Sequence, residues 1–268
     1  MLFADLELAR RLERSEAIGG AKFVEARRRL CPESGAEWKE IAGAYAMFDG
    51  SDSPVTQTFG LGLNSEVARG DLEHLESFFR DRGSPVFHEV SPLAGVPLAD
   101  MLSRRGYYPV EFTSVMYRPI DAAPGATAVN ASLRTRLMIA GEEELWAGLS
   151  ARGWGHVPEL GDFLLGLGRL VAASEGAFAF FAELDGVPIA TGMLRCDGGV
   201  ALFGGASTVP EARRHGAQRA LLDARMRFAA DQGCDLAMMC AEPGSASQRN
   251  AEREGFRIAY TRTKWKLD

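Results

Sequence analysis

The stretch of sequence that decides the fold is Val209–Leu222, which reads VPEARRHGAQRALL. Residues 200–208 before it are mostly apolar or small and predict a strand, and apolar residues spaced by four, three and four from Ala217 predict a helix that begins near Arg213. The first turn of such a helix offers unpaired backbone N–H groups and the positive end of the helix dipole. Because Gly216 lacks a Cβ atom, a bulky phosphate can approach the backbone there. The stretch therefore predicts an anion site.

Outward from this stretch, the C-terminal half predicts three antiparallel strands before the anion site and a strand, a helix and a strand after it. Asp185-Gly186 is typical of a tight hairpin turn, and Gly233 closes the first helix. Ser245 and Gln248 form a capping box that starts the second helix. The predicted strands are 178–184, 187–195, 200–208 and 236–241, with a last strand from Phe256 towards Trp265.

The N-terminal half repeats this order at a constant offset. Gly106 matches Gly255, and 255 − 106 gives an offset of 149. At the same offset, the amphipathic segment 66–82 lies against the helix after the anion site, and the apolar strand 86–90 lies against the strand 236–241. Residues 121–127, rich in Ala, Pro and Gly, predict a linker between the two halves.

The anion site is predicted in the second half alone. In the first half the equivalent stretch is 60–71, in which Glu66 and Asp71 place negative charge where a diphosphate needs positive charge. These two acids would neutralise the positive end of the helix dipole in this stretch. We therefore expect residues 1–122 to lack a phosphate site.

Composition excludes several other classes. A net charge of −6 argues against a nucleic-acid binder. The first residues are acidic, and no run of about 18 apolar residues occurs, so we expect neither a signal peptide nor a membrane span. The four cysteines are scattered, which favours a reducing, cytoplasmic compartment, and the histidines do not cluster, so no metal is expected. The chain also lacks the P-loop and G-x-G-x-x-G patterns.

The anion segment resembles the R-x-x-G-x-A/G signature of the GNAT superfamily of N-acetyltransferases. Arg213 and Gly216 match it, and Gln218 stands where the family usually has Gly or Ala. The resemblance covers roughly residues 133–268. It implies an α/β fold of the α+β type with two GNAT-like domains, each a mixed, mostly antiparallel sheet flanked by helices. The implied domains are a degenerate copy without a CoA site at 1–122, a linker at 123–132 and a catalytic domain at 133–268.

The resemblance also implies acetyl-CoA as co-substrate, with no metal. A backbone N–H at a bulge near 207–209 would polarise the thioester carbonyl, and Asn250 would contact the pantetheine arm. The implied cofactor-binding residues are Ser207, Thr208, Val209, Arg213, Arg214, His215, Gly216, Ala217, Gln218, Arg219 and Asn250.

Catalytic groups are harder to assign from the sequence. Glu242, directly after the buried strand 236–241, is the first candidate for the general base, and Glu183 is a weaker one. Many family members have a tyrosine four residues before the Gly-Phe pair, where this chain has Ala251, so the general acid is open. Ser247 is a candidate near the thiol. Tyr260 could reach inward as an acid, although its alternating apolar neighbours favour a place in the core.

The acceptor pocket is expected around Trp154 and His156, in a glycine-rich break between two helical stretches, and at Gly204, where two successive glycines indicate a close backbone approach. The predicted reaction is acetyl transfer to a primary amine of a small molecule or peptide. Two alternatives stay open, a CoA-binding module without turnover and a tRNA-dependent aminoacyl transferase. We expect no nucleic-acid or membrane partner, and an oligomer is open.

Overall fold

A computed structural model of the chain describes residues 3–120, 130, 132–154 and 161–268. Most of the predicted linker, 121–129 and 131, lies outside the described residues. In chain order, the elements are α1 (Leu6–Leu30), β1 (Glu37–Ile41), β2 (Ala44–Phe48), β3 (Gln57–Phe59), α2 (Arg69–Arg80), β4 (Val86–Val90), α3 (Val96–Arg104), β5 (Tyr108–Pro119), β6 (Leu133–Leu137), α4 (Glu143–Gly153), α5 (Gly161–Ala173), β7 (Ala177–Leu184), β8 (Val187–Asp197), β9 (Val200–Thr208), α6 (Ala217–Asp231), β10 (Leu236–Ala241), α7 (Ala246–Arg253) and β11 (Arg257–Leu267).

The chain divides into two compact units. One unit is formed by Met1–Arg118 together with Met238–Asp268, and the other by Pro119–Ala237. The boundary falls inside β10. The units therefore group the last 31 residues, 238–268, with the first half, whereas the predicted repeat places them with the second half. Whether 1–122 and 133–268 mark two duplicated domains stays a prediction.

The first unit is built on the strand order β1-β2-β3-β4-β11-β5. β3 and β4 run parallel, and the other neighbouring pairs run antiparallel. β11 lies between β4 and β5, with Thr263 opposite both Val90 and Phe112. This position explains why the C-terminal segment packs with the first half, since two of its neighbours along the sheet come from residues before 120.

Helices cover the sheet of the first unit with apolar faces. α2 contributes Leu72, Leu75 and Phe79 to a core that also contains Leu61 and Leu102. α1 packs through Ala17, Ala21 and Val24 against Met47 and Phe59. α1 carries an Asp5 cap that accepts the Leu8 N–H at 2.9 Å.

The second unit contains the antiparallel sheet β9-β8-β7-β6. Phe228 of α6 packs on Phe178 and Phe180 of β7 with ring centroids 4.6 and 5.5 Å away. Trp146 of α4 is buried, and its indole donates to the Phe180 carbonyl at 3.1 Å. Both helices thus contact β7.

The predicted fold class, a mixed and mostly antiparallel sheet flanked by helices, is confirmed. β4, β9 and β10 have the predicted bounds, and Ser245 caps α7 by accepting the Gln248 N–H at 3.1 Å. The helix predicted to begin near Arg213 begins instead at Ala217. Arg214 and Gly216 adopt positive φ angles of 72° and 86°, which an α-helix cannot include. No helix among the described residues is both long enough and apolar enough to cross a bilayer.

Candidate cofactor site at the end of strand β9

A β-bulge interrupts β9 just before the anion loop. Thr191 pairs with Ser207 and Met193 pairs with Gly204, so β9 has one residue more than β8 between these pairs. Gly205 takes a positive φ of 59°, and a Cβ atom on it would lie 3.2 Å from both Met193 and Trp146. The bulge therefore requires glycine. It releases backbone groups of β9 from the regular ladder with β8.

The bulge lies between Gly204 and Ser207 rather than near 207–209 as predicted. Beyond it the ladder resumes, because the Val209 N–H donates to the Ile189 carbonyl at 3.0 Å. The Val209 N–H is thus engaged by the protein, and its side chain is buried. Residues 205 and 206 have no Cα partner in the register between β8 and β9.

The loop after β9 exposes a helix start. A single 3-10 turn at Pro210–Ala212 leads to Arg213 in an extended conformation. Within the described part of the chain, no hydrogen bond uses the backbone N–H of Gly216, Ala217 or Gln218. Gly216 and Gln218 are exposed, and the exposed Arg214 stands beside them. Three unpaired donors at the positive end of a helix are suited to bind an anion.

Two residues that were predicted to bind the cofactor instead form hydrogen bonds within and next to the loop after β9. Arg213 donates through Nη2 to the Gly153 carbonyl at 3.0 Å and through Nε to the Thr208 carbonyl at 3.4 Å. The His215 Nδ1 atom lies 3.1 Å from the Arg213 carbonyl and 3.2 Å from that of Ala212, so Nδ1 carries the proton. Both side chains therefore hold the loop in shape and leave the helix N–H groups open.

Gln218 explains how the chain accommodates a side chain where the family usually has Gly or Ala. Its Nε2 atom donates to the Ser207 carbonyl and to the Thr208 hydroxyl, both at 2.8 Å. The amide thus turns back to the end of β9 and bridges the strand to the helix. This side chain therefore does not cover the unpaired backbone N–H groups at the start of α6.

Ser207 faces the protein interior. Its hydroxyl lies 3.0 Å from that of Thr191, and a Cβ atom on Gly153 would come within 2.5 Å of it. Gly153 is therefore needed for α4 to end directly against β9. The hydroxyl of Thr208 is held by Gln218. The predicted residues Ser207, Thr208, Arg213 and Gln218 are thus brought together with Gly153 in one hydrogen-bonded cluster.

The residues predicted for the acceptor pocket are partly described. Trp154 directly follows α4 and is 48 % exposed. Gly204 begins the bulge, with its carbonyl oxygen turned to Arg225. His156 lies outside the described residues. Arg219 is exposed at the first turn of α6. The binding roles of these residues stay predictions.

The remaining predicted residues belong to the first unit. Glu242 is exposed directly after β10, and its carbonyl accepts the Ser245 N–H at 3.1 Å. Ser247 and Asn250 are exposed on α7, where Asn250 accepts from Arg253 at 3.1 Å. The catalytic and cofactor-binding roles of these three residues stay predictions.

Two weaker catalytic candidates are engaged elsewhere. Glu183 accepts a hydrogen bond from Arg136 at 2.6 Å, inside a cluster with Glu142. Tyr260 is buried, and its hydroxyl donates to Glu13 at 2.9 Å. Burial raises the pKa of Tyr260 far above its usual value, and the nearby charge of Glu13 adds a smaller shift in the same direction. Neither group is poised to exchange a proton with a substrate.

Arg225 is a residue that the sequence reasoning missed. It is 3 % exposed, and within the described residues no carboxylate lies in ion-pair distance of it. Its guanidinium donates to the carbonyl oxygens of Leu221 at 3.1 Å, Met193 at 3.0 Å and Gly204 at 3.2 Å. Burial lowers its pKa to about 10. A basic residue four positions after Leu221, on the buried face of α6, was the available signal.

Gly192 makes room for this arginine. A Cβ atom on Gly192 would lie 2.9 Å from the guanidinium carbon. Phe203 covers the guanidinium with its ring centroid 5.1 Å from the same carbon. Two of the three carbonyls that Arg225 binds belong to the Met193–Gly204 pair that flanks the bulge, so the arginine holds the two strands where they begin to separate.

Comparison with known proteins agrees with this arrangement. Residues 129–243 match a family model described as an acetyltransferase (GNAT) domain. The match contains β6 to β10 and the anion loop, and it covers less than half of the chain. This part of the chain is therefore similar to GNAT acetyltransferase domains, and this similarity together with the fold supports an acyltransferase. No curated protein sequence gives a significant match.

Solved structures resemble a larger part of the chain. A GCN5-related N-acetyltransferase from Kribbella flavida is 16 % identical with a TM-score of 0.65, over 92 % of this chain and 95 % of that one. A tandem GNAT protein from the clavulanic acid biosynthesis pathway is 16 % identical with a TM-score of 0.57, over 74 % and 69 %. A GCN5-related N-acetyltransferase from Sphaerobacter thermophilus is 16 % identical with a TM-score of 0.57, over 95 % and 91 %. At this identity the likeness shows a shared fold.

Proposed function

We propose that this protein is an acyl-CoA-dependent N-acetyltransferase that moves an acetyl group directly from acetyl-CoA to a primary amine of a small molecule or peptide. The observation that carries the proposal is the set of unpaired N–H groups at Gly216, Ala217 and Gln218, directly after a bulged strand. The site suits a diphosphate because it combines these donors, the helix dipole and the nearby Arg214 and Arg219. It lies in the segment that matches an acetyltransferase family.

The reaction asks little covalent chemistry of the protein. The amine nitrogen attacks the thioester carbonyl carbon, the carbon–sulfur bond breaks, and the amine gives up a proton while the thiolate gains one. A lysine-type ammonium has a pKa of about 10.4, so a base must assist at neutral pH. In this proposal, backbone donors freed by the bulge polarise the carbonyl, Glu242 takes the proton, Ser247 assists the thiol and Asn250 holds the pantetheine arm. Trp154, His156 and Gly204 would border the amine.

The proposal is tested by measuring release of CoA thiol with dithiopyridine, using the full chain, acetyl-CoA and a panel of primary amines. Release that depends on one of the amines supports the proposal. Binding of acetyl-CoA without release on any amine favours a CoA-binding module, a reading to which Ala251 in place of the usual tyrosine points. Binding of charged tRNA in the absence of any affinity for acetyl-CoA favours an aminoacyl transferase, against which the net charge of −6 counts.

A further inference from the structure

A cavity lies in the first compact unit. Its volume is about 320 Å³, which falls at the lower end of the range of small-molecule sites. It is lined by one face of α1, by the turn between β1 and β2, and by the loop that follows β3. The proposed acetyl transfer makes no use of this cavity.

The face of α1 that lines the cavity is unusually basic. It presents Arg10, Arg14 and Ala17, one helical turn apart, and Arg11 adds a further cation. Two like charges four residues apart on a helix repel each other unless an anion lies between them. Within the described residues, Arg14 and the terminal nitrogens of Arg10 have no hydrogen-bond or ion-pair partner.

Glu13 and Glu16 of α1 do not pair with Arg10 or Arg14. Glu13 and Glu16 bind the buried Arg262, at 3.2 and 2.7 Å from its Nη1 atom. Glu13 also accepts from the Tyr260 hydroxyl. Glu40 lines the cavity from β1 but lies beyond ion-pair distance of Arg10 and Arg14. The lining contains three arginines and two acids, Glu13 and Glu40, and therefore carries a net positive charge.

The cavity is preformed by hydrogen bonds around its rim. Arg10 is anchored by its Nε atom, which donates to the Leu63 carbonyl at 2.7 Å. The loop after β3 is tied to the β1–β2 turn by Asn64, which donates to the Gly43 carbonyl at 3.3 Å, and by Ser65, which donates to the Ala42 carbonyl at 3.0 Å. Such anchoring lowers the entropy lost when a ligand binds.

Aromatic side chains provide an apolar surface beside the arginines. Tyr45 and Phe59 line the cavity. The Tyr45 ring is stacked on Trp38 with centroids 5.4 Å apart, and Phe59 lies under Arg262. A ligand that fits this lining combines an oxyanion with a flat or apolar body.

The neighbouring helix start cannot serve the same ligand. At α2 the Asp71 carboxylate accepts the Ala68 N–H at 2.8 Å, so the helix brings its own negative charge to its first turn. In the second unit the start of α6 is open.

We infer that this cavity binds a small molecule that carries a carboxylate or phosphate group on an apolar body, held by Arg10 and Arg14. The inference does not depend on the proposed acetyl transfer. Benzoate and phenyl phosphate probe the two oxyanions on the same ring, and benzamide is the uncharged control. Binding to the full chain is measured by calorimetry and ligand-observed NMR.

The expected result is saturable binding of benzoate or of phenyl phosphate, and the stronger of the two identifies the oxyanion. Arg14→Gln should weaken this binding at least about tenfold, since a charge-assisted hydrogen bond is lost, while Arg14→Lys should retain part of it. Arg69→Gln, on the exposed start of α2 and outside the cavity, is the matched control and should leave the affinity unchanged.

Four results would overturn the inference. They are the absence of saturable binding for both oxyanions, equal binding of benzamide, equal loss in the Arg14 and Arg69 variants, and displacement of the probe by acetyl-CoA. Displacement would show that the probe binds in the loop after β9. Failure of acetyl transfer would not contradict the inference about this cavity.

Discussion

The guanidinium of Arg225 donates through Nη1 to the carbonyl oxygen of Gly204 at 3.2 Å, where β9 bulges away from β8. The same atom donates to the Met193 carbonyl opposite, at 3.0 Å. A buried cation thus spans the two strands beneath the bulge. Because the carbonyl and N–H of a peptide group are rigidly linked, fixing the carbonyls also fixes where nearby N–H groups point.

Arg225→Met should lower kcat about tenfold and change the KM for acetyl-CoA less, because it removes the group that positions the bulge donors and leaves the diphosphate loop intact. Two partly buried carbonyls would also lose a donor, at a cost of about 1 kcal/mol each in the free energy of unfolding, partly offset because a buried charge is removed. Steady-state kinetics and urea unfolding measure the two effects.

Arg225→Lys keeps a cation and should restore part of kcat. Arg227→Met, at an exposed site on the same helix, is the control and should behave as the wild type. Equal losses of kcat in the Arg225 and Arg227 variants would show that the bulge does not depend on the buried guanidinium.

Gly216→Val should abolish acetyl-CoA binding without unfolding the protein. The φ angle at Gly216 is 86°, which valine adopts only with strain, and a branched side chain would stand among the open N–H groups. The control is Gly186→Val, at a hairpin turn with a φ of 80° and open space around it. The two changes carry similar backbone strain. Titration calorimetry should show loss of affinity in the Gly216 variant alone, and retained affinity there would remove the loop from the proposed function.

Gln218→Ala should leave acetyl-CoA affinity within about threefold of the wild type, because the amide binds the end of β9 and the backbone forms the cradle. Stability should fall by about 1 kcal/mol, since both lost hydrogen bonds are partly exposed. Calorimetry and thermal unfolding check these expectations. A large loss of affinity with unchanged stability would instead identify Gln218 as a direct ligand.

Glu13 should make stability decrease as pH rises. Burial raises the pKa of its carboxyl to about 7, despite the opposing charge of Arg262. The folded state therefore binds this proton more tightly than the unfolded chain, and the stabilisation present at low pH is lost as pH rises through about 7. Between pH 5 and pH 8, Glu13→Gln should gain on the order of 2 kcal/mol relative to the wild type.

Urea unfolding at several pH values measures this difference. Glu7→Gln, on the exposed start of α1, is the control and should parallel the wild type. A constant difference between Glu13→Gln and the wild type across the range would mean that the carboxyl does not titrate there.

Glu242→Gln should lower turnover most at low pH, where the least amine is free and assistance by a base matters most. The pH dependence of kcat/KM measures this, with Glu252→Gln on the exposed face of α7 as control. An unchanged pH profile would exclude Glu242 as the base.

The sequence by itself determined most of the local elements, although it placed the start of α6 four residues too early. The bounds of β4, β9 and β10, the Ser245 cap and the hairpin at Asp185-Gly186 depend on propensities and turn residues that act over a few positions. Gly216 and the basic residues around it predicted the anion site for the same reason.

Only the tertiary structure decided how strands from distant parts of the chain pair. It also decided which side chains form hydrogen bonds within the loop after β9. The insertion of β11 between β4 and β5, the bulge at Gly205 and the burial of Arg225 depend on partners far away in sequence, and a periodic pattern does not name its partner. The arginine-lined cavity on α1 is likewise a product of packing, because it arises only where Glu13 and Glu16 turn inward to Arg262 and leave Arg10 and Arg14 outside.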